Sequence, residues 1–230
     1  MKTIGMIGGM SWESSLEYYR IVNEAVKARL GGFHSARCVM LSVDFAEIER
    51  FQHAGDWDSA TRMLQDAARN LERAGADFFI ICTNTMHLMA EAVESAVTIP
   101  LLHIVDVTAE AIHARGQSTV GLLGTRFTME QDFYKGRLKE RHGISVLIPE
   151  EEERKTIHTI LYQELCLGEI KQASQDTFRR IIDRLAARGA QGIILGCTEI
   201  PLIVRAEEYE LPLYDTTSLH AQAAVSYALA

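Results

Sequence analysis

Two segments of the chain end an apolar run with a side chain that can carry a proton. One spans residues 75–85 and contains Thr83, and the other spans residues 189–199 and contains Cys197. Aligning Gly75 with Gly189 gives Thr83 and Cys197 the same position in the two copies. A thiol and a hydroxyl at equivalent strand ends can act as two proton-handling groups of unequal strength. The pair therefore predicts proton-transfer chemistry shared between two similar halves of the chain.

Cys197 has the surroundings of an activated thiol. It ends an apolar run and precedes Pro201, a residue suited to the first turn of a helix. A helix N-terminus lowers the pKa of a thiol below its usual value of ~8.5 and so favours the thiolate. A free cysteine is more commonly a buried structural residue, but the strand end, the helix start and the repeat favour catalysis. We expect Cys197 to be a thiolate base.

The other three cysteines are predicted to be structural. Successive residues of a strand point to opposite faces, so if Thr83 faces a ligand, the adjacent Cys82 faces the core. Cys38 lies in an apolar strand and Cys166 in an amphipathic helical stretch, where core packing is the simpler explanation. Cys197 is therefore the one candidate nucleophile or base among the cysteines.

Thr83 has two explanations that the spacing alone does not separate. Threonine is a favoured N-cap, so Thr83 could cap a helix that begins near Asn84, or it could transfer a proton. His87, one turn further, could tune Thr83, although a surface position is the commoner case for such a histidine. Four neighbouring side chains suit hydrogen bonds to ammonium and carboxylate groups of a ligand, and capping explains them too: Asn84, Thr85, Thr198 and Glu199.

The elements that position these residues follow an α/β pattern. Short apolar runs alternate with amphipathic stretches, which is typical of parallel sheets covered by helices. The candidate strands are Thr3–Ile7, Ala36–Ser42, Phe78–Cys82, Leu101–Ile104, Val120–Leu123, Ser145–Ile148, Gly192–Leu195 and Leu213–Tyr214.

The repeat extends over most of the chain. Thr3 matches Thr119, Gly75 matches Gly189, and the segment from Ile99 matches the segment at 211–215, at offsets of 116, 114 and 112 residues. Three matches in the same order predict two pseudo-symmetric parallel-sheet α/β halves with an active site in the cleft between them. The expected first half comprises residues 1–97 and 207–230, and the second comprises residues 98–206.

Four loops are expected at the carboxyl ends of these strands, where open α/β sheets bind ligands. Each precedes a helix, whose free N–H groups and partial positive charge suit a carboxylate. The loops are Gly8–Trp12, which includes Met10, then Thr83–Thr85, then Gly124–Thr128, which includes Thr125, and finally Cys197–Glu199.

Composition excludes several function classes. The 230 residues carry a formal charge of −8, so the chain lacks the overall basic character typical of nucleic-acid binding proteins. No apolar run approaches the ~20 residues of a membrane span, and the N-terminus lacks the layout of a signal peptide. The cysteines show no CxxC spacing, and neither GxGxxG nor a phosphate loop is present. We expect a cytoplasmic protein with reduced thiols.

With these motifs the chain resembles the aspartate/glutamate racemase superfamily, most closely its bacterial aspartate/glutamate branch. The resemblance rests on Gly8–Met10, Thr83–His87, Gly124-Thr125 and Gly196–Glu199. It implies a two-domain fold that uses no cofactor or metal and is usually a homodimer. In that family one cysteine of each half acts on one face of the α-carbon. Here Thr83 replaces the first cysteine, which implies Cys197 as the base and Thr83 as a proton donor or relay.

The resemblance also implies L-aspartate or L-glutamate as substrate, with Met10, Gln52, Asn84, Thr85, Thr125, Thr198 and Glu199 as binding residues. Related aspartate racemases carry a lysine that this chain lacks between residues 162 and 166; Arg50 or Arg126 could substitute for it. A neutral substrate such as homoserine or serine therefore stays open. Two further alternatives are an enzyme similar to arylmalonate decarboxylases, which use a single cysteine, and an inactive binding protein.

Overall fold

The computed structural model describes residues 1–230 and divides the chain into two compact units. The first unit comprises Met1–Ile104 and His220–Ala230, and the second comprises Val105–Leu219. Each unit contains its own parallel sheet, so the predicted architecture of two parallel-sheet α/β halves is confirmed. None of the helices has the length and apolarity needed to cross a membrane.

The first unit is built on a three-stranded sheet. Strand β1 (Ile4–Gly8) lies between β2 (Cys38–Ser42) and β3 (Phe78–Ile81), and all three strands are parallel. The helices of this part of the chain are α1 (Trp12–Leu30), α2 (Phe45–Ala54), α3 (Trp57–Arg73), a 3₁₀ turn (Thr85–Met89) and α4 (Ala90–Glu94). Because the strands are parallel, the segments that follow β1 and β3 emerge at the same edge of the sheet.

Side chains of β3 alternate between two apolar clusters. Phe78 and Ile80 pack with residues of α1 on one face of the sheet. Phe79 and Ile81 pack with residues of α3 on the other face. Cys82 joins the cluster of Phe78 and Ile80 and is fully buried, and this burial raises the pKa of its thiol. The prediction that Cys82 is a structural core residue is confirmed.

The second unit is built on a four-stranded parallel sheet. Its strand order is β5 (Ser145–Leu147), β4 (Thr119–Gly124), β6 (Ile193–Gly196) and β7 (Leu213–Asp215). Its helices are α5 (Ile104–His113), α6 (Arg126–Glu130), α7 (Asp132–His142), α8 (Glu151–Gln163) and α9 (Gln172–Ala187), with 3₁₀ turns at Leu165–Leu167, Ile200–Leu202 and Ala206–Glu208. The last helix, α10 (Thr216–Leu229), begins directly after β7.

Two elements differ from the sequence prediction. The strand expected at Leu101–Ile104 is reduced to a single bridge between Phe79 and Leu101, and α5 already begins at Ile104. The strand at Leu213 was expected in the first half, with a boundary at residues 206/207. It instead pairs with β6 in the second sheet, where the backbone groups at the free edge of β6 form a parallel ladder with it. The units accordingly change over at residues 104/105 and 219/220.

Candidate active site

Cys197 lies at the carboxyl end of β6 in the second unit. Gly196, the last residue of the strand, is held against β4 so closely that a Cβ atom there would lie 2.8 Å from the carbonyl oxygen of Leu123. Only glycine fits this approach without displacing the backbone. After Cys197 the chain enters a 3₁₀ turn of only three residues, Ile200–Leu202, with Glu199 at the N-cap position.

The Cys197 thiol faces a carboxylate. Cys197 Sγ donates to Glu199 Oε2 over 2.8 Å, and the Thr198 hydroxyl donates to the same oxygen over 2.8 Å. Glu199 is buried, whereas Cys197 and Thr198 are partly buried. The three consecutive residues therefore form one hydrogen-bonded group, in which a single carboxylate oxygen accepts two hydrogen bonds.

The expectation of a lowered thiol pKa is wrong. Burial, followed by the negative charge of Glu199 and the nearby Cys166 thiol, raises the pKa of Cys197 well above its usual value. A three-residue 3₁₀ turn offers little of the positive end that a longer helix would supply. Cys197 is therefore a neutral thiol in the unliganded protein, and it donates its hydrogen bond to Glu199.

The sequence interpretation missed two residues near the end of β6, Cys166 and His158. Cys166 was assigned to an amphipathic helix, but α8 ends at Gln163 and Cys166 lies in the following 3₁₀ turn. His158 of α8 accepts a hydrogen bond at Nδ1 from the backbone N–H of Arg126 over 3.4 Å, and its ring lies 4.6 Å from that of Tyr162. The four-residue spacing of His158 and Tyr162 places both side chains on one face of the helix, and this spacing was the sequence feature that could have pointed to their contact.

Thr125 follows β4, the strand beside β6, so it emerges at the same sheet edge as Cys197. Its hydroxyl oxygen accepts from the backbone N–H of Thr128 over 3.3 Å and thereby caps α6. The Arg126 side chain is exposed and lies 3.9 Å from Glu130. Thr125 thus has a structural role in the unliganded protein, and its capping geometry fixes where the hydroxyl lies.

Thr83 is at the equivalent strand end of the first unit. Its backbone N–H donates to the carbonyl oxygen of Ile81 over 2.8 Å, which turns the chain sharply after β3. The N-cap residue of the following 3₁₀ turn is Asn84, not Thr83, so the capping explanation of Thr83 is wrong. His87, expected at the surface, is only 2% exposed, because its ring lies beneath the turn and contacts the Thr83 carbonyl.

The loop after β1 is held by backbone constraints. Gly9 has φ of +91°, and a Cβ atom there would lie 2.1 Å from the carbonyl oxygen of Val43, so no larger residue fits. The Gly9 N–H donates to Ser15 Oγ over 2.7 Å, and the Ser15 hydroxyl donates to the carbonyl of Ser11 over 2.9 Å. Met10 sits between these contacts, with its side chain buried in the apolar cluster that also contains residues of α3.

Gln52 of α2 contacts the segment that contains Thr83. Its Nε2 donates to the sulfur of Met86 over 3.2 Å, and the side chain is 6% exposed. Its Oε1 is buried and has no hydrogen-bond partner in the protein. A buried amide oxygen without a donor is costly, and a ligand donor would offset that cost. Arg50, two residues earlier, is exposed and lies over the Phe51 ring.

The predicted residues thus form two groups, one in each unit. The first unit brings together the segments after β1 and β3 at one sheet edge, with Gln52 attached to the latter through Met86. The second unit brings Thr125 together with the group formed by Cys197, Thr198 and Glu199. No group of three or more His, Cys, Asp and Glu side chains is arranged to hold a metal ion.

Comparisons with known proteins agree on one family. The family model Asp/Glu/Hydantoin racemase matches residues 7–224. A Yersinia pestis protein of known structure, provisionally named an Asp/Glu racemase, is 53% identical, with a TM-score of 0.95 over the whole of both chains. An aspartate racemase homologue from Pyrococcus horikoshii OT3 is 34% identical, with a TM-score of 0.88 over the whole of both chains. The broad specificity amino-acid racemase RacX of Bacillus subtilis (strain 168) is 27% identical over 183 residues, which is 76% of this chain and 75% of that protein.

Proposed function

Because the chain belongs to the Asp/Glu/Hydantoin racemase family, we propose that it racemises amino acids and that aspartate or glutamate is its preferred substrate. The observation that carries this proposal is the hydrogen bond of 2.8 Å from Cys197 Sγ to Glu199 Oε2. This hydrogen bond gives the thiol an acceptor for its proton. The pair lies at the carboxyl end of a parallel strand, which is the usual position of ligand sites in this fold class.

Cys197 acts as the base in this mechanism. Glu199 Oε2 takes the thiol proton, and the resulting thiolate removes the hydrogen of the substrate α-carbon. A raised pKa of the free thiol makes the thiolate a stronger base once it has formed, which suits abstraction of a weakly acidic C–H proton. We therefore assign Glu199 to activation of Cys197, where the sequence interpretation assigned it to substrate binding.

Thr83 acts on the other face of the α-carbon. Its hydroxyl passes a proton to the carbanion as it takes another from solvent, so that it works as a relay, and Glu199 returns its proton to solvent to complete the cycle. A hydroxyl is a much weaker acid than a thiol, so kcat differs between the two directions, and KM differs in the same proportion because the two enantiomers are equally stable. The final ratio of enantiomers is unaffected, because an enzyme changes rates and not equilibria.

The substrate is bound by polar groups at the two strand ends. Gln52 Oε1 supports this assignment most directly, since it is a buried acceptor that a substrate ammonium or hydroxyl group would satisfy. The remaining proposed binding residues are Met10, Asn84, Thr85, Thr125 and Thr198, as the family resemblance implies.

A second candidate is a broad-specificity racemase that also accepts neutral amino acids such as homoserine. Two observations favour it. The similar Bacillus subtilis protein is named a broad specificity amino-acid racemase. In addition, residues 162–166 of this chain contain no basic side chain to pair with a substrate side-chain carboxylate.

We further propose that the protein works in the cytoplasm as a homodimer. Trp12, Leu16 and Tyr19 lie three to four residues apart on α1, which puts them on one face of the helix, and all three are exposed. Contiguous exposed apolar side chains are typical of protein interfaces. Sedimentation equilibrium gives the test: the wild type should sediment as a dimer, and a Leu16→Glu variant that dimerises equally well would exclude this face.

Deuterium exchange tests the proposed reaction. The protein is incubated in deuterated water with L- or D-aspartate, glutamate, homoserine or serine, without pyridoxal phosphate. Loss of the α-hydrogen together with formation of the opposite enantiomer is the expected result, fastest with aspartate or glutamate. Exchange as fast with homoserine would favour the broad-specificity candidate, and no exchange with any amino acid would reject racemisation.

A further inference from the structure

The backbone of Thr83 is held by a histidine side chain. The Thr83 carbonyl oxygen lies 2.8 Å from His87 Nδ1. The backbone N–H of His87 bonds instead to the carbonyl of Asn84 over 3.1 Å. The ring of residue 87, not its main chain, therefore makes the contact that a regular α-helix would make between residues four apart.

The partners of the ring determine its tautomer. His87 Nε2 lies 3.3 Å from the backbone nitrogen of Ile104, which can only donate, so Nε2 is an acceptor. The proton of the neutral ring is then on Nδ1 and is donated to the Thr83 carbonyl. His87 thus connects the turn after β3 to the first residue of α5, with both ring nitrogens engaged.

Two further histidines restrict the His87 ring. Its centroid lies 4.6 Å from that of His103 and 5.8 Å from that of His220, both in edge-on arrangements. His220 is itself fixed, since Nε2 donates to the Leu102 carbonyl over 2.8 Å and Nδ1 accepts from the Tyr18 hydroxyl over 2.9 Å. The ring that holds Thr83 therefore has little room to rotate.

We propose that His87 is a positioning residue that orients the Thr83 hydroxyl for its proton transfer and does not itself contact substrate. This inference rests on the proposed function, in which Thr83 is the group on one face of the α-carbon. Displacing the Thr83 backbone would move the hydroxyl away from the substrate while leaving the group formed by Cys197 and Glu199 intact. The inference predicts a selective defect.

The selective defect can be measured because exchange and inversion need different groups. An enantiomer deprotonated by Cys197 can regain deuterium from the same thiol after that thiol has exchanged with solvent, which gives exchange with retention. Inversion additionally needs Thr83. For His87→Leu we expect inversion to fall roughly tenfold to a hundredfold, as for a misplacement of about 1 Å, while exchange with retention of one enantiomer changes little.

Two variants control for loss of packing. His87→Asn keeps an N–H donor near the position of Nδ1 and should recover most of the inversion rate. Tyr18→Phe removes a hydroxyl from the same buried cluster without touching the Thr83 carbonyl, so its ratio of inversion to exchange should equal that of the wild type.

Parallel loss of inversion and exchange in His87→Leu, or the same change of ratio in Tyr18→Phe, would overturn the inference. If His87→Leu does not fold, His87→Asn is compared with His87→Gln, whose amide lies near the position of Nε2; equal ratios in these two variants would then reject it. A wild type that exchanges no substrate would reject the proposed function itself, which is a distinguishable outcome.

Discussion

The two strand ends that carry Thr83 and Cys197 occupy equivalent places in the repeat but are supported by opposite kinds of group. The Cys197 thiol donates a hydrogen bond to the carboxylate of Glu199. Thr83 is held through its main chain by the ring of His87, which donates a hydrogen bond to the Thr83 carbonyl oxygen. At one strand end the supporting group contacts the side chain, and at the other it contacts the main chain.

In the proposed mechanism, this difference lets a racemase site function with one cysteine. A thiol needs a partner that controls its protonation, because its titration decides whether a base is present. A threonine hydroxyl does not ionise in the accessible pH range, so the useful contribution of its surroundings is geometry. The two halves of the repeat differ in the kind of contact that supports each strand end.

The largest expected effect is that of removing the base. Cys197→Ala should lower both inversion and α-hydrogen exchange by roughly a thousandfold or more, since loss of a catalytic acid–base group typically costs 10²–10⁴-fold and no second thiol lies at the equivalent position. Circular dichroism should show unchanged structure. Cys82→Ala is a poor control because that thiol is in the core; Cys38→Ala, in a partly buried strand position, should keep most activity.

Replacing Glu199 tests whether its carboxylate controls the protonation of Cys197. In Glu199→Gln the negative charge that raises the pKa of Cys197 is gone, so alkylation of Cys197 should begin at lower pH than in the wild type. The turnover number should nevertheless fall roughly tenfold to a hundredfold, because the proton acceptor is lost. Mass spectrometry of the peptide that contains Cys197 follows the alkylation.

The matched control for that variant is Glu152→Gln, since Glu152 is exposed on α8 and pairs with Lys155. It should change neither the alkylation profile nor the turnover number. A Glu199→Gln variant whose alkylation profile moves to higher pH would contradict the assigned influence of the carboxylate on the thiol.

A separate prediction, on stability and not on activity, concerns the buried histidine His220. Burial lowers the pKa of His220 to about 4, whereas the unfolded chain has the ordinary value of 6.5. Between these values the unfolded state binds the proton and the folded state does not. The free energy of unfolding therefore falls as pH drops from about 6.5 to about 4, by roughly 3 kcal/mol for this group.

Urea unfolding at a series of pH values measures this dependence. His220→Asn should be less stable than the wild type at pH 7, because both ring contacts are changed, but its stability should depend less on pH across this window. His34→Asn, at an exposed position, should retain the dependence of the wild type. Parallel curves for the wild type and His220→Asn would show that this histidine is not buried in its neutral form.

The sequence predicted those features that depend on local pattern. The period of two in β3 identified Cys82 as a core residue, and the matched segments identified two parallel-sheet halves. The features that it missed depend on contacts between distant segments. His87 is buried partly because residue 220 returns beside it, and the thiol pKa of Cys197 is raised by burial and by the direction of one glutamate side chain.

The sheet assignment of β7 was missed for a related reason. The repeat places Leu213 in register with Leu101, and matched segments suggested matched roles. In the structure Leu213 pairs with Ile193 as part of a strand, whereas Leu101 forms a single bridge with Phe79. Matched segments of the repeat therefore predict a common order of elements but not equal lengths of the strands.

The central claim is that unequal groups, a thiol and a hydroxyl, act on the two faces of the substrate α-carbon. Its most direct test is Thr83→Cys, which places a thiol at both strand ends. Initial rates of α-hydrogen loss in deuterated water are measured for the L- and D-enantiomers of the best substrate, with wild type and variant. At saturating substrate we expect the two wild-type rates to differ, and we expect the variant to bring their ratio towards one by accelerating the slower enantiomer. Equal rates in the wild type, or a ratio that Thr83→Cys leaves unchanged, would contradict the claim.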